Sequence, residues 1–309
     1  MIPAARVIGA AGLAVLWATS PGLGDIAAIT SQTAGTLTLI DTDTAEVLST
    51  TPLPGHPAAV SIDAVRDRIM AVAVDTGLLH VFDMAGRPVA QHPVAGAPFG
   101  LAIRPETGTA LITDQTGVLR EIDPDTGAEI AAWPVGAMPS GVAAVPGLIV
   151  TADRDADAVT LIRGDGTTAL PVGHHPFGVT LHDGLIFTAD VLDDTVTVID
   201  PGNGSIIAKI PTAERPYAVA FAAGQGFVTN QYDSTVTVFD AATFAVAGMI
   251  DVGDYPEGIA ATADGGRIVV ANWFSDTVSL IDTATRQVVA EVDVPEGPRA
   301  FGLFIAPTP

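Results

Sequence analysis

The chain of 309 residues has no cysteine, which removes disulfide staples, thiolate metal sites, c-type haem attachment and cysteine nucleophiles together. Lysine is nearly as scarce, with Lys209 the single example, and glutamate supplies only 8 of the 35 acidic residues. A sequence so short of Lys and Glu lacks the charged residues that favour helices. Beyond the N-terminus every apolar run breaks within about eight residues, far below the roughly 20 that a membrane helix takes. Basic charge is also thin. Thirteen Lys and Arg against 35 acids leave a net charge of −22, which opposes sequence-independent nucleic-acid binding and docking to anionic lipid.

What is abundant is turn chemistry: 27 Asp, 32 Gly and 23 Pro, in a chain that is 48% hydrophobic. Short strands joined by tight turns follow, and the expected class is all-β. The N-terminus is the exception. Met1 to Arg6 is weakly basic, Val7 to Ala18 is apolar, and the small and turn-forming residues TSPGLG come next. This reads as a signal peptide over residues 1–24, removed to leave a periplasmic or secreted protein of residues 25–309 with no membrane span.

Internal repetition dominates the remainder. A strand-like hexamer ends at Asp41, Asp83, Asp123, Arg163, Asp200, Asp240 and Asp282, at intervals of 42, 40, 40, 37, 40 and 42 residues. In step with it recur Pro57, Pro98, Pro139, Pro176, Pro216, Pro256 and Pro298, each followed two residues later by Gly or Ala. Each unit reads as four short antiparallel strands, which cannot bury both faces alone and must stack on their neighbours. The pattern predicts a single-domain, seven-bladed β-propeller. Three N-terminal strands (DIAAIT, TLTLID, AEVLST) and one C-terminal strand within PRAFGLFIA are expected to complete one shared blade. A ring so closed has no free edge and is expected to be monomeric.

Segments such as FVTNQYDSTVTVFDAATF (Phe227 to Phe244) and IVVANWFSDTVSLIDTATRQVVAEVDV (Ile268 to Val294) resemble the YVTN β-propeller repeat, and the likeness extends over the chain after residue 24. It departs at Arg163, where the strand-ending Asp is missing, and in the short loops after Asp75 and Asp114. The resemblance implies fold more than activity, because such propellers serve as binding modules, scaffolds and occasionally enzymes.

The recurring columns read as architecture. Innermost strands converging on an axis need the Gly or Ala after each Pro, and the Asp ending each third strand can cap the following turn. The Asp or Asn ending the second strands (Asp75, Asp114, Asp153, Asp190, Asn230, Asn272) reads the same way. The variable columns beside each Pro, and the loops after the second strands, should share one face. They gather His56, Phe99, Arg154, His174, His175, Phe177, Arg215, Tyr217, Tyr232, Tyr255, Glu257, Trp273 and Arg299 at the channel mouth, the expected ligand- or partner-binding site. His56, His174 and His175 are the candidates for a metal site at that mouth, although blades far apart would hold them beyond ligand distance. The Asp153, Asp155, Asp157 run lacks the Gly and Glu of a calcium loop.

Hydrolase, metalloprotease, nucleotide-binding and dinucleotide-binding motifs do not occur, and the sequence requires no cofactor. The reading is a non-catalytic binding or scaffold protein for an unidentified protein or small molecule, possible as an accessory to a periplasmic redox or metal system. The alternative is a metal-dependent lactonase- or esterase-like hydrolase. Its precedent among similar propellers implies a channel cation held by Glu257 with Asn230 or Asn272.

Overall fold

A computed structural model describes residues 24–307; the signal-peptide reading of residues 1–24 therefore lies outside it apart from Gly24. Seven four-stranded antiparallel sheets form the blades, and the only helical element among the described residues is a 3₁₀ turn, Arg154–Ala156. Innermost strands of blades two to seven are Pro57–Asp63, Pro98–Ile103, Pro139–Val145, Pro176–His182, Pro216–Ala222 and Pro256–Ala261. Every one begins at the repeated proline, a position where the missing N–H is not needed by a ladder.

The second and third strands of each blade are buried, while the fourth strands, such as Ser205–Pro211 and Gln287–Asp293, stay largely exposed. The core lies between blades. Between blades five and six, for example, Phe187 and Phe221 meet with ring centroids 4.7 Å apart, and Phe221 meets Phe239 at 5.8 Å. Near the axis the innermost strands touch backbone to backbone: a Cβ on Gly141 would lie 2.6 Å from the carbonyl oxygen of Phe177 and 3.0 Å from the Val179 nitrogen. The small-residue column is therefore steric, as its spacing implied.

Both acidic columns have structural partners. Asp240 Oδ1 accepts from the Ala242 and Thr243 amides at 3.1 and 2.8 Å, and Asp83, Asp123, Asp200 and Asp282 bind their own turns similarly. At the ends of the second strands, Asp153 and Asp190 accept from threonine hydroxyls of the third strand, whereas Asn230 and Asn272 donate to them. Blade two departs from its column: Ala73, not Asp75, pairs with the leading proline, and Asp75 is exposed and bonded to His56.

The first blade closes the ring. Its strands Ile26–Ser31, Thr36–Asp41 and Glu46–Pro52 are joined by Ile305–Ala306 from the C-terminus. The closing strand is much shorter than PRAFGLFIA, because residues between the Ser31–Pro298 bridge and Ile305 swing toward blade two. There Phe301 and Leu303 carbonyls accept from the Val60 and Ile62 amides, both at 2.9 Å. Gly302 permits the swing: its φ is +132°, and any Cβ would overlap the Val60 carbonyl.

Candidate functional site

The loops that precede each innermost strand and follow each second strand occupy one face, and backbone hydrogen bonds zip them together. Val191 donates to His175 at 3.2 Å, Gln231 to Arg215 at 3.0 Å and Trp273 to Tyr255 at 3.0 Å. The chain turns sharply before each proline, with φ of +53° at His56, +51° at Met138, +58° at His175, +60° at Arg215 and +58° at Tyr255. Glycine adopts this left-handed region most cheaply, and it stands there in only one repeat, Gly297. Sequence reading identified the column but gave no sign of this conformation, since only one of its seven members is glycine.

Residues after the prolines point inward and close the channel. Phe99, Phe177 and Tyr217, with Phe301, form a septum: Phe177 lies 4.3 Å from Tyr217 and 5.4 Å from Phe301, centroid to centroid, and 5.7 Å from Phe99. Phe99, Phe177, Tyr217 and Glu257 are buried, so these four of the expected mouth residues form the channel interior. The residue before each proline lies outside the strand, in most repeats with a left-handed backbone, so it does not share the inward direction of the residue two positions later.

Arg299 sits on the septum, its Cζ 5.2 Å from the Phe99 centroid, 5.8 Å from Tyr217 and 5.1 Å from Trp273. It donates to the Tyr217 hydroxyl at 2.7 and 3.0 Å and to Gln32 Oε1 at 3.0 Å, and its Nε lies 3.0 Å from Glu257 Oε2. Burial pushes the Glu257 carboxyl up to about 7, against the lowering influence of Arg299, Tyr217 and Gln231. Burial works against the Arg299 charge, yet Glu257, Tyr217 and Tyr255 together outweigh it and raise the guanidinium pKa. Tyr217 is pushed well above its usual value, first by burial. This is a neutralised, internally partnered cluster. Gln32 and Gln231, which donates to Glu257 Oε1 at 2.9 Å, belong to it; both stand in loops after second strands, and neither is among the expected site residues.

Above the septum an aromatic ridge crosses blades six and seven. Tyr255 is the centre, with Phe274 at 4.8 Å, Tyr232 at 5.9 Å and Trp273 at 6.0 Å. Tyr232 is 59% and Phe274 70% exposed, and Arg215 lies over the Tyr232 ring at 5.4 Å. The exposed carboxylates Glu214, Asp233 and Asp254 surround it. Phe274, beside Trp273 in a loop after a second strand, is not among the expected site residues.

The histidines do not converge. His56 pairs with Asp75 in blade two, and His174 with Asp193 in blade five at 2.8 Å, a bond that raises the His174 pKa. His175 is lowered, by burial first and then by Arg154 and Arg215, while Arg154 pairs with Asp155 at 3.1 Å. Among the described residues no three His, Asp or Glu side chains stand close enough to share a metal. Asn230 and Asn272 donate their amide nitrogens to hydroxyls of their own blades, which leaves each buried Oδ1 without a hydrogen-bond partner, while Glu257 is ion-paired with Arg299.

A ring of seven four-stranded blades with a closed axis defines the class, a β-propeller. Residues 204–298 match the YNCE-like beta-propeller family, and with the ring this bears out the YVTN-type resemblance. No curated protein matches the sequence. Among solved structures the chain is similar to a functionally unknown protein from Desulfotomaculum acetoxidans DSM 771, at 16% identity and TM-score 0.78, over 92% of this chain and 98% of that one. It is also similar to Kuenenia stuttgartiensis hydrazine synthase, at 14% and 0.72, over 89% and 99%. Streptogramin B lyase gives 13% and 0.69, over 82% and 91%. These likenesses establish the fold alone.

Proposed function

We propose that the protein is an exported, non-catalytic binding protein that docks a protein partner on the ridge of Tyr232, Tyr255, Trp273 and Phe274. The observation that carries this is the exposure of mutually packed aromatic rings, tilted or edge-on to one another, at a face whose loops are locked by backbone hydrogen bonds. Rigid, half-exposed aromatics supply most of the energy at protein interfaces. The side chains at His56, His175, Arg215 and Tyr255 persist where glycine would relieve the backbone, which favours a role for them at the surface. Glu214, Asp233 and Asp254 around the ridge select a partner with an apolar knob rimmed by basic groups.

A photo-crosslinking residue at 232 or 274, in cells exporting the protein, should yield one common adduct that is absent when the residue is placed at Val65. Val65 is 86% exposed in a loop on the opposite face. With that partner purified, Tyr232→Ala and Phe274→Ala should each weaken binding about tenfold or more, with melting temperatures unchanged. An equal adduct from position 65, or full affinity in both variants, would sink the proposal.

A further inference from the structure

The septum leaves a separate basin at the other end of the axis, about 310 Å³ in volume. Its walls are the far halves of the innermost strands of blades three to seven, and Phe301 belongs to its lining. The lining comes in unbroken runs, Gly141–Val145, Gly178–His182, Ala218–Phe221 and Gly258–Ala261. A strand that showed a side-chain face would contribute alternate residues, so consecutive ones mean that strand edges line the basin. These strands pair on one side only, because each is the last member of its sheet. Along these runs the Ala218 and Gly258 amides and the Val219 carbonyl are taken by other residues, and the remaining edge groups without a ladder partner stand around the wall between apolar side chains. In blade two the corresponding edge is occupied by the Phe301 and Leu303 carbonyls.

No Asp, Glu, Lys or Arg side chain lines the basin, although the chain carries a net charge of −22. The one titratable lining group is His182, whose ring stacks on Phe221 at 3.9 Å and 3°. A charged ligand would leave water for a wall whose one ionisable group, His182, already has the Asp183 carboxylate 3.5 Å from its Nε2, a large penalty, whereas a neutral one can satisfy the strand edges by hydrogen bonds. Volume sets the size at about fifteen non-hydrogen atoms, and the septum stops anything longer from threading the axis. We infer that this basin is a binding site for an uncharged, flat, largely apolar small molecule bearing carbonyl or hydroxyl groups. It is independent of the partner site on the opposite face.

The test uses the neutral naphthalene ketone prodan, titrated into the purified protein and followed by its fluorescence, with the anionic 1-anilinonaphthalene-8-sulfonate as the charge control. Saturable one-to-one prodan binding with blue-shifted emission is expected, and weaker binding of the anion. Leu303 lines the rim and is 69% exposed, so Leu303→Asp can place a charge there without loss of core. That variant should weaken prodan by about tenfold or more while Leu303→Met retains it, with both melting as the parent does. Phe274→Ala should leave prodan binding intact. Three results would overturn the inference: no saturable prodan binding, full binding in Leu303→Asp, or loss of binding in Phe274→Ala, which would put the probe on the aromatic ridge.

Discussion

Asp190 offers a comparison that the repeat itself has set up. It ends the second strand of blade five, opposite Pro176, and is buried with its carboxyl pushed up to about 7 by burial. Asn230 and Asn272 hold the same register opposite Pro216 and Pro256. Asn230 donates to Thr235 and Thr237 at 3.0 and 2.9 Å, and Asn272 to Thr277 and Ser279 at 3.1 and 2.8 Å; blade five presents Thr195 and Thr197 in the same places. Asp190→Asn therefore installs a side chain that the fold already accommodates. The sign follows from proton binding. Between the unfolded value of about 4 and the folded value of about 7, the unfolded chain has lost the proton that the native state keeps, so stability falls as pH rises. About 3 pH units at 1.36 kcal/mol each give a ceiling of about 4 kcal/mol above pH 7. The asparagine variant loses none of this. Its advantage should grow from about 1.5 kcal/mol at pH 5 to about 4 at pH 8, with roughly 2 °C of melting temperature per kcal/mol. Differential scanning calorimetry of both proteins from pH 5 to 8 reads the difference; the low pI of 4.2 makes pH 5 the practical lower end. An advantage that stays constant with pH, or a variant less stable at pH 8, would refute the reasoning.

Further outcomes follow from the same geometry. Tyr217→Phe deletes the hydroxyl that accepts two bonds from Arg299, and urea unfolding should show a loss of about 1–3 kcal/mol. Gly141→Ala forces a methyl against the Phe177 and Val179 backbone of the next blade and should cost more than about 2 kcal/mol by the same measurement. His56→Gly relieves a left-handed backbone at an exposed site and should hold or raise stability by up to about 1 kcal/mol; a clear loss would give the His56–Asp75 pair a structural role. Protein recovered from an exporting host should have the intact mass of residues 25–309, and retention of the first 24 residues would refute the cleavage reading.

The blades were legible because each repeats a local code: a proline to open the inner strand, a small residue where strands converge, an aspartate to turn the third strand. Seven copies made register readable where one would not. The shared first blade was legible too, from the strands left over at each end. Its detail was not, because the short Ile305–Ala306 pairing depends on the Phe301 and Leu303 carbonyls finding blade two across some 240 residues. At the site, residue types pointed to one face, and the zipped loops place Tyr232, Tyr255 and Trp273 there. Which side chains look outward and which fill the axis turns on the left-handed residue before six of the seven prolines, a conformation that His, Met, Arg and Tyr do not advertise. The far basin had no signal at all, since backbone edges rather than distinctive side chains build it.

Ring closure by the chain's own end also constrains the order in which the molecule can assemble. Ile26–Ser31 precede their inner partner, Ile305–Ala306, by some 280 residues. Arg299 and Phe301 arrive in the same final stretch, so the channel interior is finished by the step that shuts the ring. Until then the first blade waits with an open edge, and a contact of such sequence separation forms slowly. A nascent chain can stack its middle blades as they emerge but cannot close the ring before residues 299–306 are free. This makes loss of the last dozen residues far more damaging than their number implies.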